Sequence, residues 1–159
     1  MSVHAVWRLS TETAQYLAED VSGTGAAKSG GRWNEIDALM LYGATTLALA
    51  CLETLVHLTG LVPLPLNRYV MKIEVPDAIW RKRTLFDKTK YPAWDAMPAG
   101  ITSRGWGTRW ASSEASLIAI VPSVVVPEED CVLINPLHVD MKRVKTSITR
   151  RWTYDLRLH

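Results

Sequence analysis

The sequence predicts a single α/β (α+β) domain, and three observations predict it. At 159 residues and 48% hydrophobic content, the chain can build one core that buries roughly two-thirds of its unfolded surface, and a second full domain has no room. Tyr69 to Val75 alternates, with Tyr69, Met71, Ile73 and Val75 on one face and Lys72 and Glu74 on the other, which is the pattern of a half-exposed strand. From Gly43-Ala44-Thr45-Thr46 to about Thr59, the residues Leu47, Leu49, Ala50, Leu52, Leu55, Val56 and Leu58 leave almost no polar face, which is the pattern of a helix buried on most sides.

The first element is a strand from His4 to Leu9, with Val6 and Trp7 supplying bulk and Arg8 interrupting it. Asp20 to Gly31 is a loop of small residues without apolar periodicity, to be held by the segment after it or by a ligand. A short strand through Leu39 to Tyr42 precedes the apolar helix, for which Thr45 is the expected N-cap and Gly60 the stop. The alternating strand ends at Pro76. Trp80 to Gly107 carries prolines, glycines and three of the seven tryptophans without a steady period, and reads as loops and short helices. A helix through Thr108 to Glu114 comes next, then core strands at Leu117 to Val121 and Cys131 to Ile134. Leu117 to Val126 is the longest apolar run; it suits a buried strand pair and is too short for a membrane span.

Cys51 and Cys131 are far apart and form no paired pattern, and the N-terminus has no basic segment followed by a long apolar run. A reducing, cytoplasmic setting is therefore expected. The net charge of +2 is too small to make nucleic acid the main partner. Charge is uneven, however. From His138 onward Lys142, Arg143, Lys145, Arg150, Arg151 and Arg157 face Asp140 and Asp155, so this stretch carries +4 and the rest of the chain −2. A solvated strand or helix end explains that tail most simply; a docking face for an acidic partner is the sharper alternative. His4, His57, His138 and His159 share no ligand spacing with one another or with the cysteines, so no metal is expected.

The chemistry concentrates in Ser29-Gly30-Gly31-Arg32-Trp33-Asn34, with Tyr42 and Glu53 further along. A glycine pair permits close backbone approach, an arginine clamps phosphate and an aromatic stacks. Glu53 is the only charged residue of the apolar helix, on a ridge with Thr46, Ala50 and His57. A carboxylate there costs several kcal/mol unless something cationic or hydrogen-bonding meets it. Pairing with His57 or a core arginine would be a purely structural reason for it.

Together with Val6-Trp7-Arg8-Leu9, Val121-Pro122-Ser123 and Ile134-Asn135-Pro136, this set resembles the RES domain family, named for an arginine, a glutamate and a serine, which here fall on Arg32, Glu53 and Ser123. The resemblance runs from Val6 to about His138. It implies a fold like that of the ADP-ribosyltransferase toxins, a central mixed sheet flanked by helices. It also implies a bacterial toxin that consumes NAD+ as substrate, with no separate cofactor, and a cognate antitoxin with a helix-turn-helix DNA-binding part that blocks the pocket. Cleavage of the nicotinamide–ribose bond builds positive charge on the ribose, which a carboxylate at Glu53 would stabilise. Arg32 offers a planar fork for the pyrophosphate, and the N–H groups of Gly30 and Gly31 would add to that grip. Tyr42 would stack on the nicotinamide or hydrogen-bond through its hydroxyl, and the Ser123 hydroxyl would hold a ribose or phosphate oxygen. Arg8 is a second phosphate contact or a solvent-facing strand residue; Trp33 is a stacking platform or core filler. Asn34 and Asn135 satisfy turns.

Four functions compete. The first passes ADP-ribose to water or phosphate, and the second passes it to a protein side chain. The third is an RNA-targeting toxin using the basic tail and the tryptophans, and it lacks a paired histidine or metal motif. The fourth is a non-catalytic binding module, which leaves Glu53 without a reason.

Overall fold

A computed structural model describes residues 2–58, 60 and 63–158. The elements in chain order are β1 (Val3–Thr11), α1 (Thr24–Ser29), β2 (Leu41–Ala44), α2 (Leu47–Leu55), β3 (Arg68–Pro76), α3 (Asp77–Trp80), β4 (Thr84–Leu85), α4 (Ile101–Ser113), β5 (Ile118–Pro122), β6 (Asp130–Ile134), a 3-10 turn (Val139–Arg143) and β7 (Lys145–Trp152). The strands form a mixed sheet in the order β4-β5-β6-β2-β1-β3-β7. All neighbours are antiparallel except β4 and β5.

β1 and β3 pair along nine positions, from Val3 opposite Pro76 to Thr11 opposite Arg68. On β3 the alternation does what it predicts: Met71, Ile73 and Val75 are fully buried, against Val6, Ile118, Ile120, Val132 and Ile134. The other face of the sheet packs Ala44, Val121 and Leu133 against α2 and an aromatic group of Trp33, Trp94 and Trp110. β1 meets β2 differently. Only Trp7 and Ala44 pair, so the sheet has two halves joined at one rung.

Several boundaries move, each for a local reason. The strand expected at Leu39 to Tyr42 lies at Leu41–Ala44, in register with β6. The α2 cap is Thr46, whose hydroxyl accepts from the Leu49 N–H, and not the expected Thr45. The helix ends at Leu55, well before Gly60; the N–H groups of His57 and Leu58 turn back to carbonyls only three residues earlier, and the Thr54 hydroxyl donates to the Cys51 carbonyl. The final residue of the expected helix, Thr59, lies outside the described residues. Leu52 on α2 and Val56 at its C-cap are exposed, so the helix is buried on one side and not on most.

Asp20 to Gly31 contains a six-residue helix, anchored where the Asn34 amide donates to the Ala26 carbonyl. The helix expected from Thr108 begins at Ile101. Its glycines hide it from sequence reading, yet Gly107 is what lets it dock: a Cβ there would lie 1.8 Å from the Trp33 carbonyl oxygen. Leu117 to Val126 is one strand followed by a turn, not a strand pair, because Ser123 bonds the N–H groups of Val125 and Val126 and the chain reverses. The basic tail forms exposed edge strand β7.

Candidate functional site

The gap beside the single β1–β2 rung opens into a cleft of about 250 Å³ lined by Trp7, Arg8, Tyr42, Glu53, His57 and Cys131 among others. Glu53 reaches it from α2, half-buried. Its Oε1 accepts a 2.5 Å hydrogen bond from the Ser123 hydroxyl and a 3.3 Å bond from the Cys131 thiol. Among the described residues no other hydrogen bond reaches the carboxylate, and both bonds end on Oε1. Among the described residues no cation makes a direct ion pair with it, so neither His57 nor an arginine holds it by contact, and Arg32 acts on it only at longer range.

Ser123 comes from the end of β5 and is 1% exposed. Its hydroxyl accepts from the N–H groups of Val125 and Val126 at 3.1 and 2.9 Å and gives its own proton to Glu53. That hydroxyl is fully committed inside the protein, so it holds Glu53 and not a ligand oxygen. Burial, with Glu53 alongside, pushes the Cys131 thiol well above its ordinary value, which keeps it protonated and able to donate.

Tyr42 lines the cleft from β2. Its hydroxyl donates to Asn34 Oδ1 at 2.6 Å and accepts from the Trp33 N–H at 3.0 Å, and burial raises its pKa. The hydroxyl is thus used for architecture, and what the cleft receives is the ring. Gly31 stands behind it: a Cβ would sit 2.7 Å from the Tyr42 hydroxyl. The N–H groups of Gly30 and Gly31 are bonded to the Ala26 and Asn34 carbonyls, so they do not supply the phosphate grip expected of them. Asn34 is fully buried and joins α1 to Tyr42, a larger part than satisfying a turn.

Arg32 is beside the cleft and does not line it. Its Nη1 donates to the Trp94 and Ala96 carbonyls and its Nη2 to Met97 Sδ, which ties down the 94–97 segment and leaves the Nε edge for a ligand. Burial lowers its pKa and the Glu53 carboxylate raises it, so the two charges act on each other across the site. Arg8 does not face solvent. Its Nη1 donates to the Tyr42 carbonyl at 2.9 Å across the open gap, while Nε is buried without a partner. Trp33 is 3% exposed and packs on Phe86, Trp94 and Trp106, so it is core filler and stacks on no ligand.

Two contributors carry no sequence signal of their own. Cys131 sits opposite Ala44 on β6. Arg104 donates from Nε to the Gly31 carbonyl and acts electrostatically on both Arg32 and Tyr42. Among the described residues no group of His, Cys, Asp and Glu has a metal-holding arrangement, and no helix is long and apolar enough to cross a membrane.

The fold and cleft define an α+β protein that holds a carboxylate in a half-buried cleft beside arginines and an aromatic ring. The RES domain model matches residues 5–157, and the chain belongs to the RES domain family. Over 96% of its length it is 47% identical to the Prs ADP-ribosylating toxin of Sphingobium sp. (strain YBL2), spanning 94% of that protein. It is 36% identical to Toxin Res of Yersinia enterocolitica over 84% of this chain and 86% of that one. In structure it resembles a chain of the crystal structure of the M. tuberculosis MbcT–MbcA toxin–antitoxin complex, with a TM-score of 0.58 and 13% identity over 94% of this chain and 85% of that one. The single α+β domain with a central mixed sheet flanked by helices, expected from sequence, agrees with that likeness.

Proposed function

We propose that the chain is the toxin of a toxin–antitoxin pair and that it consumes NAD+ by breaking the nicotinamide–ribose bond. The observation that carries this is Glu53, a cleft-lining carboxylate with one oxygen fixed by Ser123 and Cys131. As nicotinamide leaves, the ribose becomes cationic, and a carboxylate already oriented stabilises that charge without reorganising. Tyr42 offers its ring to the nicotinamide side. Arg8, Arg32 and Arg104 surround the site with positive charge suited to a pyrophosphate. Neutral nicotinamide departs with the bonding electrons, so no covalent enzyme intermediate is required.

ADP-ribose then passes to water or phosphate. A second reading, transfer to a protein side chain, is favoured by the 47% identical relative, whose name is that of an ADP-ribosylating toxin acting on Prs. Incubation of purified protein with NAD+, with and without phosphate and with a candidate acceptor protein, separates the two by mass spectrometry of small molecules and protein. Glu53→Gln keeps an acceptor for Ser123 and removes the charge; turnover is expected to fall roughly 10² to 10³-fold. Activity within a few-fold of wild type would reassign Glu53 to structure. The proposal extends to an antitoxin with a helix-turn-helix part that covers the cleft, and the basic tail is the surface offered to it.

A further inference from the structure

Of residues 153–158, which follow β7, Tyr154 is buried and the others are exposed. The segment runs on from the basic edge strand, and Tyr154 is the side chain it sends inward. The ring packs with Leu9, Cys51, Leu58 and Val70 and stands edge-on to Trp152, which is reason enough for an apolar ring at this position. It is no reason for a hydroxyl. That hydroxyl meets Thr54 Oγ1 at 2.8 Å, and the bond has a fixed direction: Thr54 gives its own proton to the Cys51 carbonyl at 2.8 Å, so Tyr154 is the donor.

Thr54 adjoins Glu53 on α2, and both line the cleft. Among the described residues these are the two side chains through which α2 hydrogen-bonds to other elements, and they are held from different parts of the molecule. Glu53 is gripped by Ser123 at the end of β5 and by Cys131 on β6, whereas Thr54 is gripped from a position one hundred residues away. The helix needs such outside contacts. It has nine residues, and its C-terminal end tightens where the N–H groups of His57 and Leu58 bond only three residues back, so its own ladder fixes the last turn weakly. We infer that Tyr154 is a positioning residue for the carboxylate: by holding Thr54 it sets the rotation of α2 about its axis, and with it the place of Glu53 against Ser123 and Cys131. This rests on the reading of Glu53 as the group that stabilises the ribose cation, where a small misplacement lowers the rate. It also ties the cleft to β7, since Thr153 alone separates Trp152 from Tyr154.

A double-variant cycle tests it, with rates taken where each variant is fully folded by circular dichroism. Thr54→Val leaves the buried Tyr154 hydroxyl without its acceptor and Tyr154→Phe removes that hydroxyl; each alone is expected to lower kcat for NAD+ about tenfold with KM little changed. Thr54→Ser keeps the hydroxyl and should keep kcat. The two changes together leave no stranded hydroxyl, so the unfolding midpoint of the double variant should recover above that of Thr54→Val. Its kcat should not recover, and should be no lower than that of either single variant. A ring with a packing role alone makes the opposite prediction, kcat recovering with stability, and that result would overturn the inference. A second readout needs no NAD+. The Cys131 thiol donates to Glu53, and its labelling by methyl methanethiosulfonate, resolved from that of Cys51 by peptide mass spectrometry, should speed up several-fold in both single variants. A kcat within about twofold of wild type in both, with unchanged Cys131 labelling, would overturn the inference and leave the NAD+ reading standing, and effects on kcat that multiply in the double variant would overturn it too. With no NAD+ turnover by the wild-type protein, labelling decides: faster labelling in the variants keeps the positioning of Glu53 and sinks the NAD+ reading, and unchanged labelling sinks both.

Discussion

Ser123 and Glu53 are seventy positions apart in sequence, and their hydroxyl–carboxylate contact is the shortest in the site. Ser123→Ala removes three bonds at once. The Val125 and Val126 N–H groups lose their acceptor, which costs about 1–3 kcal/mol of stability. Glu53 loses the donor that fixes its rotamer, so kcat for NAD+ should fall while KM changes less. Thermal denaturation and initial rates measured on the same preparation check both; full kcat in a destabilised protein would confine Ser123 to the turn. At this scale the sequence is partly sufficient. Glu53 declares itself as one charge in an apolar run and Arg32 by its glycine-flanked setting, whereas Ser123 emerges only through motif resemblance. Their pairings are illegible, because a hydroxyl that holds a carboxylate and one that holds a ligand look alike in one dimension. Cys131 and Arg104 carry no signal, the first sitting in an apolar strand and the second in a stretch without period.

Among elements, legibility depends on how each one packs. β3 buries one face through bulky apolar residues, so its alternation is written in the sequence. α4 buries Ser103, Gly105 and Gly107 along with Trp110, which brings it near the Trp33 backbone by absence of side chain and not by hydrophobic mass. A helix docked in that way shows no apolar stripe. Gly107→Ala should therefore be costly despite alanine's better helix propensity, at or beyond the upper end of the roughly 1–3 kcal/mol typical of overpacking. Gly25→Ala in α1, with open space around it, should be neutral or stabilising by about 0.5–1 kcal/mol. Urea midpoints of the two variants check the contrast, and similar values for both would refute the close-packing account of α4.

For the whole molecule, the charge imbalance of the sequence becomes a place. The 3-10 turn and β7 put Lys142, Arg143, Lys145 and Arg150 on an exposed margin, away from the cleft-lining residues. Arg151 is spent on the Leu66 carbonyl, Arg150 lies over the Trp152 ring and Arg143 pairs with Asp140, so Lys142 and Lys145 are the better probes. Reversing both to glutamate should slow antitoxin association at low salt and flatten its salt dependence, with NAD+ turnover unchanged. Association indifferent to the reversals would return the tail to plain solvated surface.

The lone rung between Trp7 and Ala44 also has a mechanical meaning. β1 is held firmly on one side by nine paired positions of β3 and on the other by one position of β2, so the molecule has a seam. Two stiff plates hinged at a seam breathe there first. The amides of β1 that point toward β2 should exchange with deuterated solvent well before their alternate neighbours that point toward β3. Uniform protection along β1 would mean that the plates move as one.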